Sequence, residues 1–251
     1  MGTVGTVRRT FAYFRHGLAD VLYPAHCLGC GLPIAGETGV VCPACRAKLI
    51  DENERRCPRC AGLVGSDAVK GSCPDCRRSP GFRFGTAAAV GIYDGDLREL
   101  VLEFKYRRAW SVGRHLAREL AGAVRRRGLH ERDPVVVAVP LHWWKRLKRG
   151  FNQAERLAEH LSDDLGLRCA RGALVAVRPT ADQIGLMRAE RRRNVQGAFR
   201  VRRPGAVADR HVLLVDDVMT TGATLNECTR VLKAAGARSV SVAIAARSRG
   251  A

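Results

Sequence analysis

The chain has 251 residues, 46% hydrophobic and 27% charged, with 43 Lys+Arg against 24 Asp+Glu and a formal net charge of +19. That length suits one large domain or two smaller ones, and the apolar fraction is sufficient for a sizeable core. No run approaches the roughly 20 apolar residues of a membrane span, and the basic excess favours a polyanionic partner, either nucleic acid or small phosphates. The competing reading of the charge is a set of arginine-rich, solvated helix faces.

Residues 1–22 lack an unbroken apolar stretch of signal-peptide length, because Arg8, Arg9, Arg15 and His16 interrupt them. A cytoplasmic location is therefore expected, where thiols stay reduced. Gly2 and Thr6 match the short myristoylation pattern, although an ordinary amphipathic helix is the plainer expectation for this segment.

Eight of the ten cysteines then fall in four pairs: Cys27 and Cys30, Cys42 and Cys45, Cys57 and Cys60, Cys73 and Cys76. A two-residue gap lets both thiolates of a knuckle point at one ion, and two knuckles complete a tetrahedral site. Pro43, Pro58, Pro74 and Gly31 suit the tight turns this requires. Four pairs predict two structural zinc ions. Disulfides are the competing reading, and a single redox pair would not account for four. Pairing of consecutive knuckles is favoured over a cross-braced arrangement, though spacing does not decide between them. Cys169 and Cys228 have no partner pair and read as small core residues. Residues 1–80 carry only 11 Lys+Arg against 7 Asp+Glu, and thiolates on zinc would cancel that excess. A scaffold role for this module is therefore favoured over a nucleic-acid-binding ribbon.

After residue 83 the pattern changes. Strands are predicted over residues 84–93, 135–139, 174–177, 197–201, 212–215 and 240–245, and helices over 97–106, 112–124, 154–165 and 223–235, the last closed by Gly236. Such alternation predicts an α/β domain, a mostly parallel sheet flanked by helices. The expected organisation is thus 1–82, an N-terminal helix with a double zinc-knuckle module, followed by 83–251, the α/β domain.

The predicted strand 212–215 ends in Asp216 and Asp217, and the turn Thr220, Thr221, Gly222, Ala223, Thr224 leads into a helix. A small-residue turn at a helix N-terminus offers free backbone N–H groups and hydroxyls to a phosphate, with the helix dipole assisting. Two acids beside an anion site make sense if they accept hydrogen bonds from sugar hydroxyls and sit near a magnesium ion bridging the ligand's phosphates. The string resembles the phosphoribosyl pyrophosphate signature of type I phosphoribosyltransferases. That resemblance implies that Asp216 and Asp217 contact the ribose, as the catalytic acids, and that Thr220 to Thr224 hold the 5′-phosphate.

Two basic segments accompany it. The predicted strand 135–139 leads to Leu141 and His142, then Lys145, Arg146, Lys148 and Arg149, where the type I fold carries its pyrophosphate loop; these charges suit a departing pyrophosphate. Residues 183–199 include Gln183, Arg188, Arg191, Arg192 and Arg193, where that fold carries its mobile catalytic loop, a lid able to supply arginine. A cluster of Lys105, Arg107, Arg108, Arg114, Arg118, Arg125, Arg126 and Arg127, with Trp110, Trp143 and Trp144, offers a stacking surface for single-stranded DNA; core packing of the tryptophans is the alternative.

Together, the cysteine knuckles, FKYRRAWSVGRHLA at 104–117, VPLH at 139–142, RGFNQAERLA at 149–158, QIGL at 183–186, ERRRNVQGAF at 190–199 and the cradle resemble the ComF family over nearly the whole chain. One departure is Trp143-Trp144, where the family commonly has proline followed by basic residues. The resemblance implies a type I phosphoribosyltransferase-like fold that binds phosphoribosyl pyrophosphate with Mg²⁺ and is linked to DNA uptake and the competence machinery. The zinc module stands where such enzymes usually carry the hood that reads the acceptor base. Three functions remain open: glycosyl transfer to an unidentified acceptor, handling of single-stranded DNA, or regulation without turnover.

Overall fold

Strands β1 (Ala87–Ile92), β2 (Val135–Ala138), β5 (His211–Met219) and β6 (Ser239–Arg247) form one sheet in the order β1-β6-β5-β2, with every neighbouring pair parallel. β1 is buried along its whole length, as expected of a strand covered on both faces. In this computed structural model the described residues are 26–34, 40–50, 55–65, 73–78, 81–106, 110–181 and 187–249, excepting the side chains of Lys148, Arg149 and Arg188. The N-terminal helix and the myristoylation pattern lie outside the described residues.

Side chains alternate across the pleat, so the sheet has two distinct cores. Ala87, Ala89, Val135, Val137, Val212, Leu214, Val242 and Ile244 join Leu225, Cys228 and Leu232 of one helix, together with Cys57, Cys60, Cys73, Phe82 and Phe84. That helix is Ala223–Ala234, closed as expected near Gly236. On the opposite face, helices Trp110–Arg126 and Gln153–Leu165 pack against each other and against the sheet, burying Leu116, Leu120, Leu157 and Leu161.

The chain divides into two compact units, residues 1–48 and 49–251. The boundary near residue 82 was drawn from composition. By packing, the second pair of knuckles stays with the α/β body because three of its cysteines sit in that body's core. The knuckles repeat a local design. An antiparallel bridge closes the first turn of each cluster, His26 to Pro33 and Arg56 to Leu63. The second turn opens a short helix with proline at its first position, α1 (Pro43–Leu49) and α2 (Pro74–Arg78).

Numbering the rest in order, the helices are α3 (Gly95–Tyr106), α4 (Trp110–Arg126), α5 (Trp143–Arg149), α6 (Gln153–Leu165), α7 (Arg188–Val195) and α8 (Ala223–Ala234). Three features differ from the sequence expectation. The strands near 174 and 199, β3 (Leu174–Ala176) and β4 (Phe199–Val201), pair antiparallel with each other in a separate ribbon. The basic segments expected as loops contain α5 and α7; α7 brings only Val195 to the core, so it has no apolar period to betray it. β5 continues four residues past its expected end, so Asp216 and Asp217 lie within the strand rather than beyond it.

Candidate functional site

Two sites emerge from the residues upward, a pair of cysteine clusters and a cleft at the carboxyl ends of the strands. In each cluster the four Sγ atoms lie within 4.8 Å of one another, Cys27, Cys30, Cys42 and Cys45 in one, Cys57, Cys60, Cys73 and Cys76 in the other. Consecutive knuckles therefore pair. Across the clusters, Cys30 and Cys42 are 3.8 Å apart, Cys57 and Cys76 3.7 Å, and Cys60 and Cys73 3.6 Å. A tetrahedral ion with Zn–S bonds of about 2.3 Å spaces its sulfurs about 3.8 Å apart, so the donor set fits zinc. The electrostatics agree. Burial would raise Cys27, but the backbone N–H groups of Cys42, Cys30 and Gly29 outweigh it and lower the thiol to about 6. Burial pushes Cys76 up to about 12 and raises Cys60. A divalent cation among them would favour the thiolate form of all four.

The cleft, of about 550 Å³, collects residues from five parts of the chain. Asp216, Asp217, Thr220 and Thr224 line it from β5 and the start of α8; Leu141, His142 and Lys145 line it from the end of β2 and α5; Arg191 lines it from α7. The turn between the acids and α8 is closed by Gly222, whose φ of +76° is a left-handed conformation that favours glycine. Thr221 Oγ1 accepts from the Ala223 N–H at 3.4 Å. The remaining expected residues are placed differently. Arg146 is exposed and ion-paired to Glu155 of α6 at 3.1 Å. Arg192 and Arg193 lie exposed on α7 and are not among the residues that line the cleft. Gln183 and the side chains of Arg149, Lys148 and Arg188 lie outside the described residues.

The acid pair is not alone. Lys105, the penultimate residue of α3, places Nζ 2.9 Å from Asp217 Oδ2, with both side chains largely buried. Burial alone would lower the Lys105 ammonium, but Asp217, and then Asp216, overcome that and raise it. Asp216 is pushed up to about 8 by burial first and by the Asp217 carboxylate second, against the opposing Asp217 N–H and Lys105. The floor of the cleft therefore sets two adjacent acids against one ammonium, with Lys145 and Arg191 among the basic residues that line the same cleft.

In the sequence Lys105 belongs to a basic cluster suited to nucleic acid, and no local spacing links it to Asp217, so its place in the cleft is visible only in the fold. Tyr93, Leu102 and Tyr106 join it on the same wall. The sequence alone gives the segment RGFNQAERLA no role. In the structure Asn152 caps α6 by accepting from the Ala154 N–H at 3.1 Å and donates to the Val139 carbonyl at 3.0 Å. Gln153 donates to the Lys105 carbonyl at 3.2 Å. The motif thus anchors two walls of the cleft. Of the other basic residues, Arg114, Arg118, Arg125 and Arg126 are exposed along α4, while Arg127 reaches back to the Arg56 carbonyl. Trp110 packs on Phe151 with the Arg156 guanidinium over its ring, whereas Trp143 and Trp144 remain more than half exposed. No helix among the described residues is long and apolar enough to cross a membrane.

Comparison with known proteins agrees with this division of labour. Residues 18–77 match the double zinc ribbon domain and residues 113–251 the phosphoribosyl transferase domain. DNA utilization protein YhgH of Salmonella typhi is 33% identical over 223 residues, spanning 87% of this chain and 95% of that protein. Competence protein F of Haemophilus influenzae is 35% identical over 161 residues, 61% of this chain and 69% of that one. Competence protein ComFC of Streptococcus pneumoniae is 23% identical over 214 residues, 83% and 88% respectively. With a double zinc ribbon followed by a phosphoribosyl transferase domain, and with such relatives matching it along most of its length, the chain belongs to the ComF family.

Proposed function

We propose that the cleft binds phosphoribosyl pyrophosphate together with Mg²⁺, that the chain transfers the phosphoribosyl group to an acceptor, and that it serves DNA utilization or competence as the names of its relatives indicate. The observation that carries this reading is the meeting, in one cleft, of a strand-end acid pair, a threonine turn opening a helix, and cations from three other segments. The turn Thr220 to Thr224 and the α8 N-terminus would take the 5′-phosphate. Asp216 and Asp217 would accept the ribose hydroxyls. Leu141, His142 and Lys145 would face the pyrophosphate; His142 Nδ1 is buried without a hydrogen-bond partner among the described residues, the kind of atom a bound ligand satisfies. Arg191, which lines the cleft from α7, would supply a cation to the ligand's phosphates. In the transfer step an acceptor atom bonds to ribose C1 while the C1–O bond to pyrophosphate breaks, the leaving group takes the electron pair, and the basic residues lining the cleft offset its charge.

The oxygen donors of the acid pair suit a hard cation, yet Lys105 already holds one Asp217 oxygen. These residues fit a magnesium ion brought in on the phosphates of the ligand, with one or two carboxylates completing its shell, better than a dedicated protein cage. Titration calorimetry with phosphoribosyl pyrophosphate and Mg²⁺ on the wild type and on Asp217→Ala tests the binding site, and equal affinity in both overturns it. Pyrophosphate release across nucleobases and amines tests turnover.

A second reading has its own observation. Trp143 and Trp144 stand exposed on α5, just before Lys145 in sequence, which lines the cleft; exposed rings there suit stacking of single-stranded bases. Affinity for single-stranded DNA should then fall steeply with salt, and salt-independent or absent binding removes this reading.

A further inference from the structure

We propose that Arg247, seated between the second cysteine cluster and the turn 219–222, is a positioning residue for the phosphate cradle, so that the metal-loaded state of that cluster sets the cradle's affinity. The inference rests on the reading of the cleft as a site for a 5′-phosphorylated ribose. Arg247 is the last residue of β6, sits opposite Met219 in the strand register, and is 2% exposed. Its guanidinium makes contacts in two directions. Toward the cradle, Nη1 donates to the carbonyls of Met219 at 3.0 Å and Thr220 at 2.5 Å, and to Ser248 at 2.7 Å. Toward the cysteine cluster, Nε donates to the Cys60 carbonyl at 3.2 Å and Nη2 to Asp75 Oδ2 at 3.0 Å.

Asp75 lies between Cys73 and Cys76, so the counter-ion of Arg247 is held where two metal ligands hold it. The fit leaves no slack: a side chain at Gly62 would come within 2.5 Å of Asp75 Oδ2 and 3.3 Å of Cys60 Sγ. A second strut runs in parallel. Arg59, between Cys57 and Cys60, donates to the Phe82 carbonyl at 2.9 Å, and the Phe82 ring lies against Gly222, where an added Cβ would meet it at 2.7 Å. Both ends of the turn are thus linked, through Arg247 and Phe82, to Asp75 and Arg59, residues interleaved between cysteines.

The consequence follows from peptide planarity. In a trans peptide the C=O of one residue and the N–H of the next point in opposite directions. Pinning the carbonyls of Met219 and Thr220 on Arg247 therefore aims the N–H groups of Thr220 and Thr221 away from it, in fixed directions, as an anion site requires. If Asp75 loses its place, Arg247 becomes a buried cation without a counter-ion, and the turn it holds loses its geometry before the sheet does.

The test compares wild type, Asp75→Asn and Arg247→Lys by hydrogen exchange, zinc content and titration with phosphoribosyl pyrophosphate and Mg²⁺. In both variants, with zinc content unchanged, amides of residues 219–224 should exchange faster while those of β2 and the body of β6 do not, and affinity should fall about tenfold or more. Chelating zinc from the wild type should speed exchange in the same turn. Should Asp75→Asn lose zinc, Arg247→Lys, which leaves Asp75 and every cysteine in place, decides. Unchanged exchange in the turn, or a uniform rise through the sheet as a merely structural arginine would give, overturns the proposal. If the turn loosens selectively but the wild type binds no phosphoribosyl pyrophosphate, the positioning role stands and the ligand reading falls.

Discussion

Asp216 and Lys105 show how burial acts on single charges in the cleft. The Asp216 carboxyl is held up near 8 in the folded chain, against an ordinary value of 3.8. Between those values the folded state binds the proton that the unfolded state has released, so this group's contribution to stability falls as pH rises from about 4 to about 8. Asp216→Asn should remove that slope, measured as the difference in melting temperature between variant and wild type at several pH values. A difference that stays constant across the range would mean that the acid ionises normally. Lys105 acts in the opposite sense, by matching Asp217. Replacing it by methionine leaves a partly buried carboxylate facing an anionic ligand. Lys105→Met should weaken phosphoribosyl pyrophosphate binding by about tenfold or more without Mg²⁺, and by less with it, because a divalent ion can replace the lost charge. Calorimetry with and without chelator reads the contrast, and equal losses under both conditions would place Lys105 outside the ligand's field.

At the scale of elements, the strands and helices with an apolar period were legible, and those defined by polar contacts were not. The runs at 135–139 and 212–215 became neighbouring parallel strands, because an apolar residue at every position leaves no other burial. α7 and α5 gave no such signal. One buries a single apolar residue, Val195, and the other is a seven-residue helix closed by a left-handed Gly150, too short for periodicity. β5 was cut short at Val215 because two adjacent acids read as a loop, whereas in the structure each carboxylate accepts a nearby backbone N–H, Asp217 N to Asp216 at 2.9 Å and Val218 N to Asp217 at 2.6 Å. The acid pair and the threonine turn were visible as a local string; the partners that complete the cleft come from distant segments that only the fold brings together. Asn152 tests this reasoning at an element boundary. It caps α6 and satisfies the buried Val139 carbonyl with one side chain, so Asn152→Ala should cost about 2 kcal/mol in urea unfolding, more than a cap alone. A loss below about 0.5 kcal/mol would show that neither bond matters.

For unit 49–251 as a whole, composition suggested a small module joined to a larger domain, yet the second cysteine cluster shares the hydrophobic core of the sheet. Composition could not show this, since the module is rich in glycine and proline and the link is made by a few side chains, Phe82, Phe84 and Arg247. The net charge also looks different in this light: eight thiolates around two divalent ions would lower +19 to +15, and the remaining excess lies after residue 80. If the cluster is part of the core, metal loss lowers the stability of the whole unit, beyond the turn that the cluster braces. Cys60 is fully buried among residues that also touch the sheet, and a four-thiolate zinc site contributes its binding energy to folding. Cys60→Ser should therefore lower the melting temperature of the main transition by about 10 °C or more, with no separate early transition for the cysteine module. Cys169, half-buried and outside both clusters, provides the comparison: Cys169→Ser should shift the same transition by about 2 °C at most. A Cys60→Ser protein that lost one zinc ion and still melted with the wild type would show the cluster to be an appendage of the sheet and not part of its core.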